Sequence, residues 1–335
     1  MINNSVEKII SLSNLEGGKK KSQYKILTIP THERYETQLS KTGHEFFSLN
    51  INGQKKWNVE QCPVPENYHI LPENDLCSYL GYDFILSQSK FGQFQVLHQI
   101  NQSLKLPVIA LEHTLPLYGI QPEEHIISMQ KMIGNVNVFI SEFSQNAWNV
   151  GVDSHIIHHG IDTATFADQG LPREHYILSV ANDFIKRDYC LNFSGWKRVT
   201  KGLNTRVVGN TEGLSESAKS TEDLVNEYNR CGVFFNSSTL SPIPTSLLEA
   251  MSCGCAVVST ATCMIPSIIQ NGVNGFISND EDELRSFLEM LLADKDKRES
   301  VGRAARQTIV ELFSEEKFIN QWNQLFDETY EVFYT

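Results

Sequence analysis

No stretch of the 335-residue chain approaches the ~20 consecutive apolar residues that a membrane-spanning helix needs. The opening residues, MINNSVEKIISLSNLEGGKKKSQ, hold no apolar core followed by a small-residue cleavage site, so no secretory leader is expected. Cysteine is sparse. The seven that occur form no C-x-x-C pair, and an odd number argues against a disulfide framework, which places the chain in a reducing cytoplasm. Cys253 and Cys255, one residue apart in the apolar run CGCAVVST, read as small core fillers rather than metal ligands. His155 and His159 stand four apart on an expected strand with no carboxylate between them, so no metal site is expected either. No strand is followed by G-x-G-x-x-G, which argues against a dinucleotide oxidoreductase. Solenoid repeats, low-complexity tracts and long linkers are also missing. So is an excess of positive charge. The formal net charge is -12, and basic residues are outnumbered in both halves, 12 to 17 through Gly170 and 16 to 23 beyond it. A duplex-binding protein neutralises phosphates, and this balance is wrong for one. Only Lys19, Lys20 and Lys21 keep contact with nucleic acid or an anionic membrane open.

What is present is an ordinary globular composition, 41% hydrophobic and 20% charged, long enough for two domains. Short β-rich runs alternate with helical patterns, the signature of parallel sheets covered by helices on both faces. The first series is 24–30, 44–50, 82–88, 107–113, 136–142 and 154–160, and the second is 176–182, 204–210, 231–237, 255–261 and 275–278. FGQFQVLHQINQSLK (91–105) carries apolar residues at helical spacing, as a βαβ crossover requires. Gly, Asp and Pro break the pattern in GIDTATFADQGLPR (160–173), where the domain boundary is expected. The division expected is a flexible lead-in over 1–22, a first domain over 23–165, a second over 172–313 and a terminal helix over 314–335. That helix keeps Phe318, Trp322, Leu325, Phe326 and Tyr330 on one stripe, too aromatic to be left in water.

Open α/β sheets bind ligands beyond the carboxyl ends of their strands, and two such sheets facing each other make one interdomain cleft. The residues just after each strand are therefore informative. In NSSTLSPIPTSLLEAMSCGCAVVST, Pro242 and Pro244 fix a loop, and Thr245 and Ser246 open a helix. Four unpaired N–H groups and about half a positive charge at such an end suit a diphosphate. Glu249 is expected in the first turn, where its carboxylate can accept two ribose hydroxyls. Ser246 and Glu249 also spell a capping box, which would satisfy the helix start without a ligand. Between 171 and 210, seven basic residues (Arg173, Lys186, Arg187, Lys197, Arg198, Lys201, Arg206) meet three acidic ones, which suits a local anion site.

Residues 231–313 resemble the C-terminal domain of retaining glycosyltransferase family 4, of the GT-B fold. The likeness runs through CGVFFNSS, LLEAMSCGCAVVST, IIQNGVNGFIS, KRESVGRAARQTIVELFS and the Trp-containing last helix, with HIIHHGIDTATF (155–166) similar to the family's interdomain segment. The resemblance implies an α/β protein of two Rossmann-like, doubly wound domains facing across a cleft, the last helix packing back on the N-terminal domain. It implies a nucleotide-sugar donor as substrate and no cofactor or bound metal. Glu249 would hold the donor's ribose, and Thr245 and Ser246 would offer amides to its phosphates at the end of the loop Ser241, Pro242, Ile243, Pro244. Asn182 stands where an Arg is usual; Lys186 and Arg187 would neutralise the leaving diphosphate, and Gly209, in NTRVVGN, joins the donor set. His113, closing PVIALEH, would touch the donor sugar. Ser241 replaces the first of two glutamates that the family sets eight positions apart, which removes a carboxylate from beside the sugar. After the first strand, where the family has a Gly-rich loop, stand His32, Glu33, Arg34 and Tyr35; His32, Glu33 and Tyr35 form the expected acceptor side, with Glu33 or His32 taking the acceptor's proton. The acceptor can be a glycan, lipid, protein or modified base. A sugar-nucleotide-binding protein without turnover, and a transferase acting on a modified nucleic-acid base, are the alternatives.

Overall fold

A computed structural model describes residues 21–59 and 62–335. The chain divides into two compact units. The first comprises the residues up to Ile140, Trp148–Ile157 and Ile319–Thr335. It holds a seven-stranded sheet built from β1 (Lys25–Thr28), β2 (Glu45–Asn50), β3 (Tyr68–Glu73), β4 (Phe84–Ser87), β5 (Val108–Glu112), β6 (Val136–Phe139) and β7 (His155–Ile156). The order is β3-β2-β1-β4-β5-β6-β7, and every pairing is parallel. Near-continuous apolar strands such as KILT, FILS and VIALE suit a parallel sheet, whose two faces are both covered. The helices are α1 (Glu33–Ser40), α2 (Gln93–Leu104) and α3 (Glu123–Gln130). The order runs outward from β1 in one direction and from β4 in the other, so the switch point lies between those two strands.

The second unit comprises Ser141–Ala147 and His158–Phe318. Its five strands are β8 (Ile177–Val180), β9 (Thr205–Val208), β10 (Val233–Asn236), β11 (Ala256–Thr260) and β12 (Phe276–Ser278), in the parallel order β12-β11-β10-β8-β9. The remaining helices in chain order are α4 (Glu142–Trp148), α5 (Asp188–Leu191), α6 (Phe193–Val199), α7 (Thr221–Arg230), α8 (Thr245–Ser252), α9 (Ile265–Ile268), α10 (Glu281–Ala293), α11 (Lys295–Leu312) and α12 (Glu315–Tyr334). Here the switch point lies between β8 and β10. Ile177, Val233, Phe235, Ala256 and Val258 of the strands pack with Trp196, Leu288 and Leu291 of the helices in one buried cluster. At ~1.5–3 kcal/mol per fully buried large apolar side chain, such clusters are what hold the layers together.

The stripe on α12 is satisfied inside the first unit from Trp322 onward. Trp322 and Phe326 are fully buried, the Trp322 indole donates to the Tyr35 hydroxyl at 3.1 Å, and Phe326 stacks on Phe84 at 5.9 Å. Tyr24 completes the cluster against Phe84 and Tyr330. The structure departs from the sequence reading in two elements. β3, YHILPE, was not among the expected strands; it is an edge strand with a Pro, and only Tyr68 and Leu71 of it are buried. The expected strand over 154–160 shrinks to the two residues of β7 at the opposite edge. The lead-in over 1–22, with Lys19 and Lys20, lies almost wholly outside the described residues; Lys21 is described and pairs with Asp83 at 2.6 Å.

Candidate functional site

In the second unit, the loop after β10 leads through Ser241, Pro242, Ile243 and Pro244 into α8. Pro242, Ile243 and Pro244 are buried, and the Pro242 carbonyl accepts the Met264 amide at 3.3 Å, tying this loop to the one after β11. Pro244, not Ser246, is the N-cap of α8, and no side chain caps the helix start. The expected capping box is therefore not formed: Ser246 is the second residue of the helix, beyond the cap position from which a hydroxyl reaches back to the backbone. Glu249 is correspondingly the fifth residue of α8, in its second turn rather than its first. Thr245 and Ser246 keep partial exposure at the helix start, while Glu249 is 2% exposed. Its carboxylate accepts a hydrogen bond at 2.9 Å from the hydroxyl of Tyr228, a fully buried residue of α7.

Two more expected donor residues meet at the ends of β8 and β9. The Asn182 side-chain oxygen accepts the Asn210 amide at 2.8 Å, and Gly209 lies against the Ala181 carbonyl. Gly209 has φ +132, and a Cβ there would come within 2.1 Å of that oxygen. Only glycine allows this approach. Lys186 and Arg187 follow on the same segment; both are exposed, and Lys186 lies 3.5 Å from Glu212. The wider basic set does not gather into one anion site. Arg173 is half-buried beneath α8's end, donating to the carbonyls of Tyr228, Cys231 and Cys253. Arg198 pairs with Glu281 at 2.6 Å and Arg206 with Glu227 at 2.7 Å. Cys231, Cys253 and Cys255 are fully buried around Arg173.

In the first unit, His113 follows β5 directly and is half-buried. Its Nε2 lies 3.5 Å from the Gln88 side-chain oxygen, and its ring meets the Tyr35 ring edge-on at 4.5 Å. Glu112, 1% exposed, binds both flanking segments: it accepts the Lys90 amide at 2.8 Å and, through its other oxygen, the amide and hydroxyl of Thr114 at 2.9 and 2.6 Å. Burial raises the Glu112 carboxyl, with the hydrogen bonds from Thr114 and Lys90 opposing it. Lys90 is itself buried, which lowers its amine to about 8 against the pull of Glu112. Gln93, the first residue of α2, stitches the switch point together by accepting the Gln88 amide and donating to the Ile29 carbonyl and the Thr31 hydroxyl, both at 2.9 Å.

The expected acceptor side divides. His32 is exposed and caps α1, its Nδ1 accepting the Tyr35 amide at 3.4 Å. Glu33 is 4% exposed and engaged by Lys55 at 2.8 Å and the Asn58 amide at 3.1 Å. Burial alone would raise the Glu33 carboxyl, but those partners bring it below its ordinary value. Tyr35 is buried with its hydroxyl taken by Trp322. Sequence reasoning passed over Glu36, which accepts the amides of Thr31 and His32 and the hydroxyl of Tyr68, and is raised to about 7 by burial in spite of those bonds. It also passed over Tyr228 and Gln88. Their contacts span 21 and 25 residues, and no local pattern signals them.

Residues 216–308, the stretch containing α7, α8 and Glu249, match the family model described as glycosyl transferases group 1. Over that stretch the chain is similar to the group 1 glycosyltransferases. Among curated proteins it is similar to the N-acetyl-alpha-D-glucosaminyl L-malate synthase of Bacillus anthracis, 32% identical over 82 residues, 24% of this chain and 22% of that one. It is likewise similar to the sulfoquinovosyl transferase SQD2 of Arabidopsis thaliana, 36% identical over 91 residues, 26% and 18% of the two. These matches span about a fifth of the relatives' length. Among solved structures, the sucrose-phosphate synthase of Thermosynechococcus elongatus superposes with a TM-score of 0.73 at 15% identity, covering 92% of this chain and 100% of the other. The Anabaena protein HepE, in complex with UDP-glucose, does so with a TM-score of 0.70 at 14% identity, covering 91% and 100%. The matched stretch thus lies within an α/β chain of the GT-B fold. Among the described residues no helix is long and apolar enough to cross a membrane.

Proposed function

We propose that the chain is a cytoplasmic glycosyltransferase that takes a nucleotide sugar as its donor, needs no further cofactor or bound metal, and transfers the sugar with retention at the anomeric carbon. The observation that carries this reading is the start of α8: no side chain caps it, it lies beyond the carboxyl end of β10, and one turn further in it holds the buried carboxylate of Glu249, all within the stretch matching the group 1 family. Backbone N–H groups and the helix dipole suit the diphosphate, and Glu249 the ribose hydroxyls. Asn182 and Gly209, at the ends of β8 and β9, are assigned to the donor as well, and the exposed Lys186 and Arg187 to the charge that develops on the departing diphosphate. His113 is assigned to the donor sugar and His32 to the acceptor side. With Ser241 where a carboxylate would stand beside the sugar, attack follows departure on the same face: the bond from the anomeric carbon to the diphosphate oxygen breaks, the acceptor oxygen bonds to that carbon, and the acceptor's proton passes to the leaving phosphate.

Incubation with a panel of nucleotide sugars, followed by NMR of the anomeric proton in the product, tests the proposal. Transfer or hydrolysis with the donor's anomeric configuration preserved is expected; inversion would remove retention, and inertness toward every donor would remove transfer. Ser241 and Asn182, both departures from the group's charged pattern, favour one second reading, a sugar-nucleotide-binding protein without turnover. Calorimetric binding of a nucleotide sugar with no product would establish it.

A further inference from the structure

At the switch point of the first sheet the chain leaves β1 and enters α1 through Ile29, Pro30, Thr31 and His32. Consecutive amides in such a turn, backed by a helix start, make an anion-binding concavity. Here the chain fills that concavity itself. The amides of Thr31 and His32 both donate to one oxygen of the Glu36 carboxyl, the second at 3.1 Å, and the other oxygen accepts the Tyr68 hydroxyl. Glu36 is 1% exposed. The Tyr35 amide is taken by the His32 ring at 3.4 Å, and the Glu33 carboxylate meets its own amide. Charge at this helix start is balanced rather than positive. Lys55 donates to the Glu33 carboxylate at 2.8 Å and to the Thr31 carbonyl at 2.6 Å, and Arg34 and Lys55 together match Glu33 and Glu36. Burial raises the Glu36 carboxyl in spite of its three donors, so the surroundings compensate even one negative charge there incompletely.

We propose that Glu36 is a specificity-determining residue: its carboxyl occupies the amides that would receive an anion on the acceptor side, so the acceptor presents an uncharged hydroxyl-bearing group there and not a phosphate or a carboxylate. The functional half rests on the transferase reading with its acceptor side at this loop, whereas the occupied amides are a property of the protein without ligand. To bind at Thr31 and His32, a phosphate would have to displace a buried carboxylate from its hydrogen bonds and then lie beside it. Like charges held together away from water repel strongly, and the displaced group would lose the donors that compensate its burial. A neutral hydroxyl meets no such opposition.

The test uses the full chain labelled with ¹⁵N at threonine and histidine, the two amide signals being assigned by their loss in Thr31→Ser and His32→Asn. Inorganic phosphate is titrated in at constant ionic strength. In the wild type neither amide is expected to move. Glu36→Ala, which empties the concavity, is expected to give a saturable shift of both; Glu36→Ala combined with Tyr68→Phe, which leaves no hydroxyl without its partner, serves if the single variant does not fold. Saturable phosphate shifts of Thr31 and His32 in the wild type, or amides unmoved by phosphate once Glu36 is removed, overturn the proposal. In turnover, matched acceptor probes are compared: glycerol with glycerol 3-phosphate, and glucose with glucose 6-phosphate. The uncharged member of a pair should have a kcat/KM about tenfold or more above its phosphate, and the ratio should shrink in Glu36→Ala; a wild-type preference for the phosphorylated member overturns the acceptor assignment. Inertness toward every nucleotide sugar, with phosphate moving the two amides only in the absence of Glu36, would leave the occupied amides standing and remove the transferase reading.

Discussion

Two buried carboxylates, Glu249 and Glu36, have different electrostatic consequences. Glu249 receives the Tyr228 hydroxyl, an arrangement that holds one oxygen in place before any ligand arrives. Replacing it by Gln keeps the shape and removes the charge; since hydrogen bonds to charged groups contribute ~1.5–3 kcal/mol, nucleotide affinity measured by calorimetry should fall by about tenfold or more. Tyr228→Phe should weaken affinity less, because it disturbs Glu249 without removing it. Unchanged affinity in Glu249→Gln would count against the ribose role. Glu36 carries no expected ligand, yet its carboxyl is raised from 4.5 to about 7 by burial, with the amides of Thr31 and His32 and the Tyr68 hydroxyl pulling the other way. The folded state therefore holds this proton more tightly than the unfolded chain. Its contribution to stability is complete below pH 4.5 and is lost as pH rises to about 7, by about 3 kcal/mol at ~1.4 kcal/mol per pH unit. Denaturant unfolding across that window should show Glu36→Gln with a shallower fall than the wild type; parallel curves would mean that Glu36 titrates normally.

At the scale of elements, the parallel strands were legible because a strand buried on both faces reads as an unbroken apolar run. KILT, FILS, VFFN and AVVST need no long-range information to be found. β3 was not legible because an edge strand needs neither continuous apolarity nor a full set of donors, and Pro72 marks it as a non-strand locally. A helix start carries a local signal where a side chain does the capping, as Ser220 does for α7 and Asp280 for α10, and carries none where it does not. At α8 the sequence offers Ser246 and Glu249 at capping-box spacing, but Pro244 takes the cap position and shifts both residues inward. Of the candidate site, the residues directly after strands were readable from the order of elements, whereas the partners that orient them, Tyr228 and Gln88, come from elsewhere in the chain. Gly209 offers a direct test of the segment after β9. Ala there would combine an unfavourable φ of +132 with a Cβ 2.1 Å from the Ala181 carbonyl, so the backbone must move. Gly209→Ala should lose several degrees of melting temperature and most nucleotide binding, and a variant with wild-type values would show that the β8 and β9 ends tolerate rearrangement.

At the scale of the whole molecule, the chain's last helix belongs to the unit built from its first residues. From Ile319 onward α12 is part of the first unit, which it supplies with Trp322, Leu325 and Phe326. Trp322 meets Tyr35, Phe326 meets His44 and Phe84, and the Asp327 carboxylate accepts the Tyr24 hydroxyl at 2.8 Å. The second unit, by contrast, has all five of its strands and the whole of α8 within His158–Phe318. Removing the chain beyond Phe318 would therefore expose one face of the first sheet and leave the second sheet's core intact. Loss of a buried Trp or Phe alone costs ~3–5 kcal/mol, and here two go together with Leu325, as much as the ~5–15 kcal/mol that holds a typical domain folded. The truncated protein should melt in two steps, the first unit early or already unfolded and the second near its original temperature. If the candidate donor site lies at α8, a nucleotide diphosphate at a hundred times its dissociation constant should still stabilise that second step by about 2.7 kcal/mol. Calorimetric melting of the truncated and full chains, each with and without UDP, GDP and ADP, measures both effects. A truncated chain that melts in one step at the full-length temperature would show that α12 contributes little to the first unit, and a second step that none of the three nucleotides moves, while one of them still moves the full chain, would place the nucleotide elsewhere than on the second unit alone.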